Sequence, residues 1–255
     1  MIDVHAHLCF EDFGNDKDMV AKRSAEEGMK AVIVGTARLD EGIEALEFCD
    51  KYKGFLFPTL GFHPTDGGEN YKDVIALIRE NKERIVGIGE VGLDFHWESD
   101  SSKREKQKEI FLEFIELAKE TKLPLLLHTW DAERECFEIV KEHGMKKVIF
   151  HCFTGKNELA KEITDEGYYI SISTGLLFSK TIRKVARDVP IEQFTLETDA
   201  PFLSPNREED PRNYPWNIKL TAKKMAEIRK VSESEIMEAA AINAIKFFSL
   251  PLLTK

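Results

Sequence analysis

Eight short apolar stretches recur along this chain, each separated from the next by a helical pattern, and that alternation restricts the fold more than any other feature. They read "MIDVHA" (1–6), "KAVIVG" (30–35), "FLFPTLG" (55–61), "RIVGIGE" (84–90), "LPLLLH" (123–128), "KKVIFH" (146–151), "YYISIS" (168–173) and "QFTLET" (193–198). Several are apolar without interruption, as parallel strands covered on both faces are. Between them, apolar residues fall at helical spacing over 17–28, 41–52, 71–81, 102–121, 132–143 and 157–167. In "SKREKQKEIFLEFIELAKET", Phe111, Phe114 and Ala118 mark the core face and the charged residues mark a solvated one. Strand and helix alternating eight times predict an α/β fold, the (β/α)₈ or TIM barrel.

The chain of 255 residues has no internal repeat, low-complexity tract or linker that would divide it, so one barrel domain over 1–255 is expected. After the eighth strand comes a long loop, "APFLSPNREEDPRNYPWN", and then two helices; loops of this length tend to be functional or disordered. No apolar run approaches a membrane span, and no secretory leader pattern is visible, so a cytoplasmic location is expected. Cys9, Cys49, Cys136 and Cys152 form no CxxC pair, which argues against a thiolate zinc site and predicts buried free thiols. The net charge of −10 will not attract a polyanion, so cations at the site would have to overcome that field.

Barrels of this class carry their active sites at the C-terminal ends of the strands. In "MIDVHAHL", His5 and His7 share one face of the first strand, about 6.6 Å apart along it, a separation that can close on one divalent ion. Strand three runs into His63, strand four ends in Glu90, strand five at His128 and strand six at His151, and strand eight is followed by Asp199. Nitrogen and carboxylate donors gathered on one rim point to a metal centre. Imidazole and carboxylate without thiolate suit Mg, Mn or Zn and do not select among them. The ligands outnumber the needs of one ion, so two divalent ions are expected, with Glu90 the bridging candidate because its strand lies between the two ligand groups. No lysine ends a central strand to supply a carbamate bridge.

"DVHAHL", "GFHP", "IGEVGLDF", "LLLHTWDA", "HCFTG" and "LETDAPFL" occur in this order, with "QKEIF" on the long helix and "NAIKFF" near the end. Together they resemble the TatD family of metal-dependent deoxyribonucleases, within the amidohydrolase-like superfamily, across essentially the whole chain. The initial HxH is shared with the wider superfamily; "GEVGLDF", "HCFTG" and "ETDAP" are the specific elements. The resemblance implies that His5, His7 and Asp199 hold one ion, that His128 and His151 hold the second, and that Glu90 bridges. It places His63 beside the scissile phosphate, and implies hydrolysis of phosphodiesters in single-stranded DNA from a 3′ end, commonly with Mg²⁺.

Two departures from the family pattern bear on substrate. Trp130 stands in "HTWDA" where the family often has arginine ("HSRDA"), and the loop after strand eight reads "RNYPWNI" against "RNxP". Trp130 is therefore expected to be a stacking platform for a nucleobase, with packing against a neighbouring loop as the alternative. Lys180, at the start of a helix, and Arg212 are the expected phosphate contacts. Asp199 is expected to act as general base and His63 to stabilise or protonate the leaving oxygen. Asp94 and Glu197 are expected to orient ligands, while His96 and His143 read as ordinary loop and helix-end residues. The competing readings are hydrolysis of an amide, a lactone or an aminoacyl-tRNA ester on the same two-metal barrel, and a non-catalytic binding protein. A monomer is expected.

Overall fold

The computed structural model describes residues 1–67 and 70–252. Eight parallel strands follow one another around a single sheet in sequence order: β1 (Ile2–Ala6), β2 (Ala31–Val34), β3 (Leu56–Leu60), β4 (Gly87–Gly92), β5 (Leu125–His128), β6 (Val148–Phe150), β7 (Tyr169–Ile172) and β8 (Phe194–Leu196). The helices between them are α1 (Lys17–Glu26), α2 (Leu39–Lys51), α3 (Tyr71–Asn81), α4 (Ser101–Thr121), α5 (Glu133–Glu142), α6 (Asn157–Asp165) and α7 (Lys180–Asp188). Two more, α8 (Ile218–Arg229) and α9 (Glu233–Phe248), follow β8. The first and last strands meet just past their ends: Ala6 bridges Ala200, the His7 amide donates to the Ala200 carbonyl at 2.7 Å, and the Asp199 amide donates to the His5 carbonyl at 3.0 Å. The result is the (β/α)₈ barrel that the alternating pattern predicts.

Alternation along the strands divides the core. Leu125, Leu127, Val148, Phe150, Ile170 and Ile172 pack in one cluster with Phe111, Phe114, Val140, Ile163 and Val185 from the helices. The intervening residues Ile33, Phe57, Leu126 and Ile149 form a second cluster with Phe247 and Phe248 of α9. Period-two geometry then puts His128, two residues beyond Leu126, and His151, two beyond Ile149, on the same face as this second cluster. The functional rim is thus the upper continuation of the barrel's filled interior.

Seven of the predicted strands are shorter by one to three residues at their ends. Strand four differs more. It was expected over 84–90 with Glu90 at its end, but β4 runs from Gly87 to Gly92, so Glu90 lies inside it. "GIGEVG" reads as a poor strand by residue preference, yet its small residues let β4 pass close to β5. Gly92 shows this directly: it has φ +138°, and a Cβ there would sit 2.2 Å from the His128 carbonyl oxygen. All four cysteines are free and buried, as expected. Among the described residues no helix is long and apolar enough to cross a membrane.

Candidate metal centre

The C-terminal rim gathers His5, His7, His63, Glu90, His128, His151 and Asp199 around one cavity. The Nε2 atoms of His5 and His7 face each other at 3.1 Å. Both lie 3.5 to 3.9 Å from a Glu90 carboxylate oxygen and from Asp199 Oδ1. His128 Nδ1 stands 3.5 Å and His151 Nε2 2.8 Å from Glu90 Oε2, the oxygen that His5 also faces. Glu90 therefore lies within 3.9 Å of all four of these imidazoles. Donor atoms of His5, His151 and Asp199, of His5, His7 and Glu90, and of His63, Glu90 and His128 each fall within 4.8 Å of one another.

The donors fit a cation better than they fit each other. Where the donors meet, His151 Nε2 is buried and without a hydrogen-bond partner although it stands 2.8 Å from Glu90 Oε2, whereas the unpaired nitrogens of His5 and His7 are Nδ1 and not the Nε2 atoms that face each other. Unpaired buried polar atoms are costly, and a metal ion is the partner that imidazole and carboxylate lone pairs converging on one point would share.

The neighbouring residues fix how these donors point. Asp94 Oδ2 accepts from His128 Nε2 at 2.9 Å, leaving Nδ1 turned to Glu90. Glu197 accepts from the Cys152 amide and stands 3.5 Å from His151 Nδ1. Asp3 Oδ1 accepts from the amides of His5 (3.2 Å) and Thr198 (3.0 Å), and its Oδ2 accepts from the Thr198 hydroxyl at 2.5 Å. This buried carboxylate ties the strand bearing His5 and His7 to the turn bearing Asp199. Asp199 itself takes a left-handed backbone, with φ +57°. Gly35, at the end of β2, makes room for a ligand: a Cβ there would come within 2.5 Å of the His5 ring.

Burial alone would raise the Glu90 carboxyl, but His63, His128, His151 and His7 around it hold it well below the usual carboxylate range. Burial opposes protonation of His7, His128 and His151, and the facing carboxylates overcome it, so all three are raised; His151, against Glu197 and Glu90, is raised furthest. Burial and the adjacent imidazoles push His5 well down. His63 falls to about 4 through burial and the nearness of His128, and is a neutral imidazole at pH 7. Its Nε2 lies 3.3 Å from His128 Nδ1, and Thr65 holds Nδ1 at 2.7 Å.

A cavity of about 600 Å³ opens above this cluster. Trp130 lines it, half-buried, its ring 5.4 Å from that of His128 and 5.7 Å from that of His96. Arg212 also lines it, with its guanidinium already engaged by Asp16 at 2.9 Å and by the Asp12 carbonyl. Lys180 is exposed at the start of α7, away from the residues lining the cavity. His96 pairs with Asp131, and His143 lies 3.6 Å from Glu116, both apart from the donor cluster. Asp3, Gly35, Trp97 and Arg207 are contributors that sequence reasoning passed over. Asp3 carried a readable signal, since it sits two residues before His5 on the same strand face.

The family model "TatD related DNase" matches residues 2–249. The chain is 32% identical to a deoxyribonuclease named TATDN3 from Homo sapiens, covering 97% of this chain and 94% of that protein. It is 34% identical to YabD, an uncharacterized metal-dependent hydrolase of Bacillus subtilis, over 98% of this chain and 99% of that one. Among solved structures, the TatD homologue YJJV of Escherichia coli K12 superposes with a TM-score of 0.90 at 26% identity, over 98% of both chains.

Proposed function

The chain belongs to the TatD-related DNase family of metal-dependent hydrolases, and from that premise we propose that it hydrolyses single-stranded DNA from the 3′ end at a two-metal centre. The observation that carries this reading is Glu90, buried and central, with four imidazoles around its carboxylate, His7 at Oε1 and His5, His128 and His151 at Oε2. Two divalent ions, of Mg, Mn or Zn, would be held by His5, His7 and Asp199 on one side and by His128 and His151 on the other, with Glu90 shared. When bound, such ions acidify water and offset charge that builds on phosphate oxygens.

The cavity's own charges support this reading. Asp12, Glu90, Asp94 and Asp199 face Arg207 and Arg212, leaving a net charge of −2 when the imidazoles are neutral, as ligation requires. Ligation holds the imidazoles neutral, and divalent cations bound there would reverse the sign of that lining so that it accepts a phosphodiester. Asp199 takes up the proton of the attacking water at a carboxylate oxygen. His63, neutral at pH 7, holds the leaving oxygen by a hydrogen bond through Nε2. Asp94 and Glu197 keep His128 and His151 turned toward Glu90. Trp130 forms the wall against which the base of the cleaved nucleotide rests; Arg212, and Lys180 further out, meet the backbone of the strand. The protein acts as a single barrel domain and as a monomer.

The test compares turnover, with Mg²⁺ or Mn²⁺ present, of a 3′-labelled single strand, the same strand labelled at its 5′ end, a lactone and an aminoacyl ester. Early release of the 3′ label and little turnover of the other two compounds is the expected pattern. Turnover of the lactone or ester with DNA left intact would contradict the proposal.

A further inference from the structure

The aromatic wall of the metal cavity runs outward from His128 to Trp97, which also lines it. The rings of His128, Trp130, His96 and Trp97 form a file with successive centroid separations of 5.4, 5.7 and 4.9 Å. His128 is buried and Trp130 half-buried, whereas His96 is exposed and Trp97 at the outer end is 71% exposed, the most exposed of the large apolar side chains among the described residues. Large aromatics are seldom left this far in water, because burying them recovers substantial hydrophobic free energy.

Trp97 is also held in place. Its amide donates to Asp94 Oδ1 at 2.8 Å, and the other oxygen of Asp94 accepts from His128 Nε2. One carboxylate therefore sets both a ring of the donor cluster and the backbone that carries the exposed indole. His96, between the two tryptophans, is pinned by Asp131 at 2.9 Å. A platform positioned this way loses little freedom when something stacks on it. Phe202, 44% exposed, lines the same cavity and stands edge-on to Phe10 and His7 with centroids 5.6 and 5.9 Å away. Arg207 lines the cavity as well and is exposed to solvent.

Resting on the reading of the centre as one that cleaves single strands, we infer that Trp97 is a stacking platform for the nucleobase next to the cleaved nucleotide. An indole face takes any base but needs it unstacked from its neighbours, so this contact selects single-stranded over duplex substrate. The continuity of the ring file with the metal cavity is what assigns a base, and not a protein side chain, to this surface.

The test uses a phosphorothioate single-stranded oligonucleotide, which resists hydrolysis, bound in Mg²⁺ to the wild-type protein, Trp97→Ala and Trp97→Phe. Trp97→Ala should weaken binding by about 5- to 150-fold, and Trp97→Phe should keep most of the affinity. A strand made abasic next to its 3′-terminal nucleotide should bind the wild type more weakly by a similar factor. Trp97→Ala should then add nothing further, because both changes remove the same contact. Equal binding by wild type and Trp97→Ala, equal losses on the intact and abasic strands, or no binding by the wild type would overturn the inference. Failure of the deoxyribonuclease reading looks different: an unmodified strand stays uncut even where base-dependent binding persists.

Discussion

Glu90 faces His5, His7, His128 and His151 at 2.8 to 3.9 Å, and the proposed pair of ions rests on this one residue. Glu90→Ala should lower both metal stoichiometry and activity, measured by elemental analysis of the purified protein beside its hydrolysis rate. Glu197→Gln should leave stoichiometry nearly intact and cost about 10- to 100-fold in metal affinity or activity, as expected for a group that only turns His151. Retention of both ions at unchanged affinity in Glu90→Ala would remove the bridge from the account. The histidines add a pH dependence. The facing carboxylates raise His7, His128 and His151 from the ordinary imidazole value in the metal-free protein, so they hold more tightly the protons that ligation must displace. Metal binding should therefore release protons near pH 7, and affinity should fall as the pH is lowered. Calorimetric titrations in buffers of different ionisation enthalpy measure that release, and identical heats in all of them would contradict it.

At the scale of elements, the loop between β8 and α8 shapes the substrate side of the cavity, contributing Pro201, Phe202, Leu203, Arg207, Pro211 and Arg212. Asn213 holds it closed. Its side-chain amide donates to Thr174 Oγ1 at 2.9 Å and to the carbonyls of Thr198 (2.8 Å) and Leu203 (3.2 Å), while its own amide donates to the Pro201 carbonyl at 2.8 Å. Asn213→Ala leaves buried acceptors unpaired and should cost about 1–3 kcal/mol of stability. Denaturant unfolding would show that loss, and limited proteolysis should cut more readily within 200–217; unchanged stability together with unchanged cleavage would refute the anchoring role. This is also the scale at which the sequence was most and least readable. Strands and helices carry period-two and period-3.6 patterns, so seven strand ends and the helix Tyr71–Asn81 could be placed closely. β4 could not, because glycine has no side chain to show a pattern and its role depends on how near β5 comes. The loop's internal anchor was equally silent: "RNYPWN" shows an asparagine, and only three-dimensional closure shows what it bonds.

For the whole molecule, the barrel lets residues separated by nearly two hundred positions share one point, with His5 and Asp199 brought together where the first strand meets the last. Most of the candidate donors were legible because strand ends are marked in sequence and a parallel barrel brings them to one rim, while Glu90 lies inside β4. Substrate contacts were less legible: Trp130 packs between two histidines, Arg212 is engaged by Asp16 and Lys180 stands apart, none of which composition or spacing encodes. On the proposed reading, a chain of net charge −10 that acts on a polyanion depends on bound cations for attraction as well as for chemistry. The most direct measurement is a titration of metal-free protein with Mn²⁺ or Mg²⁺, following bound metal and hydrolysis of a 3′-labelled single strand together. The account predicts no hydrolysis without metal and activity that rises with occupancy to a plateau at two ions per chain; full activity in excess chelator would contradict it.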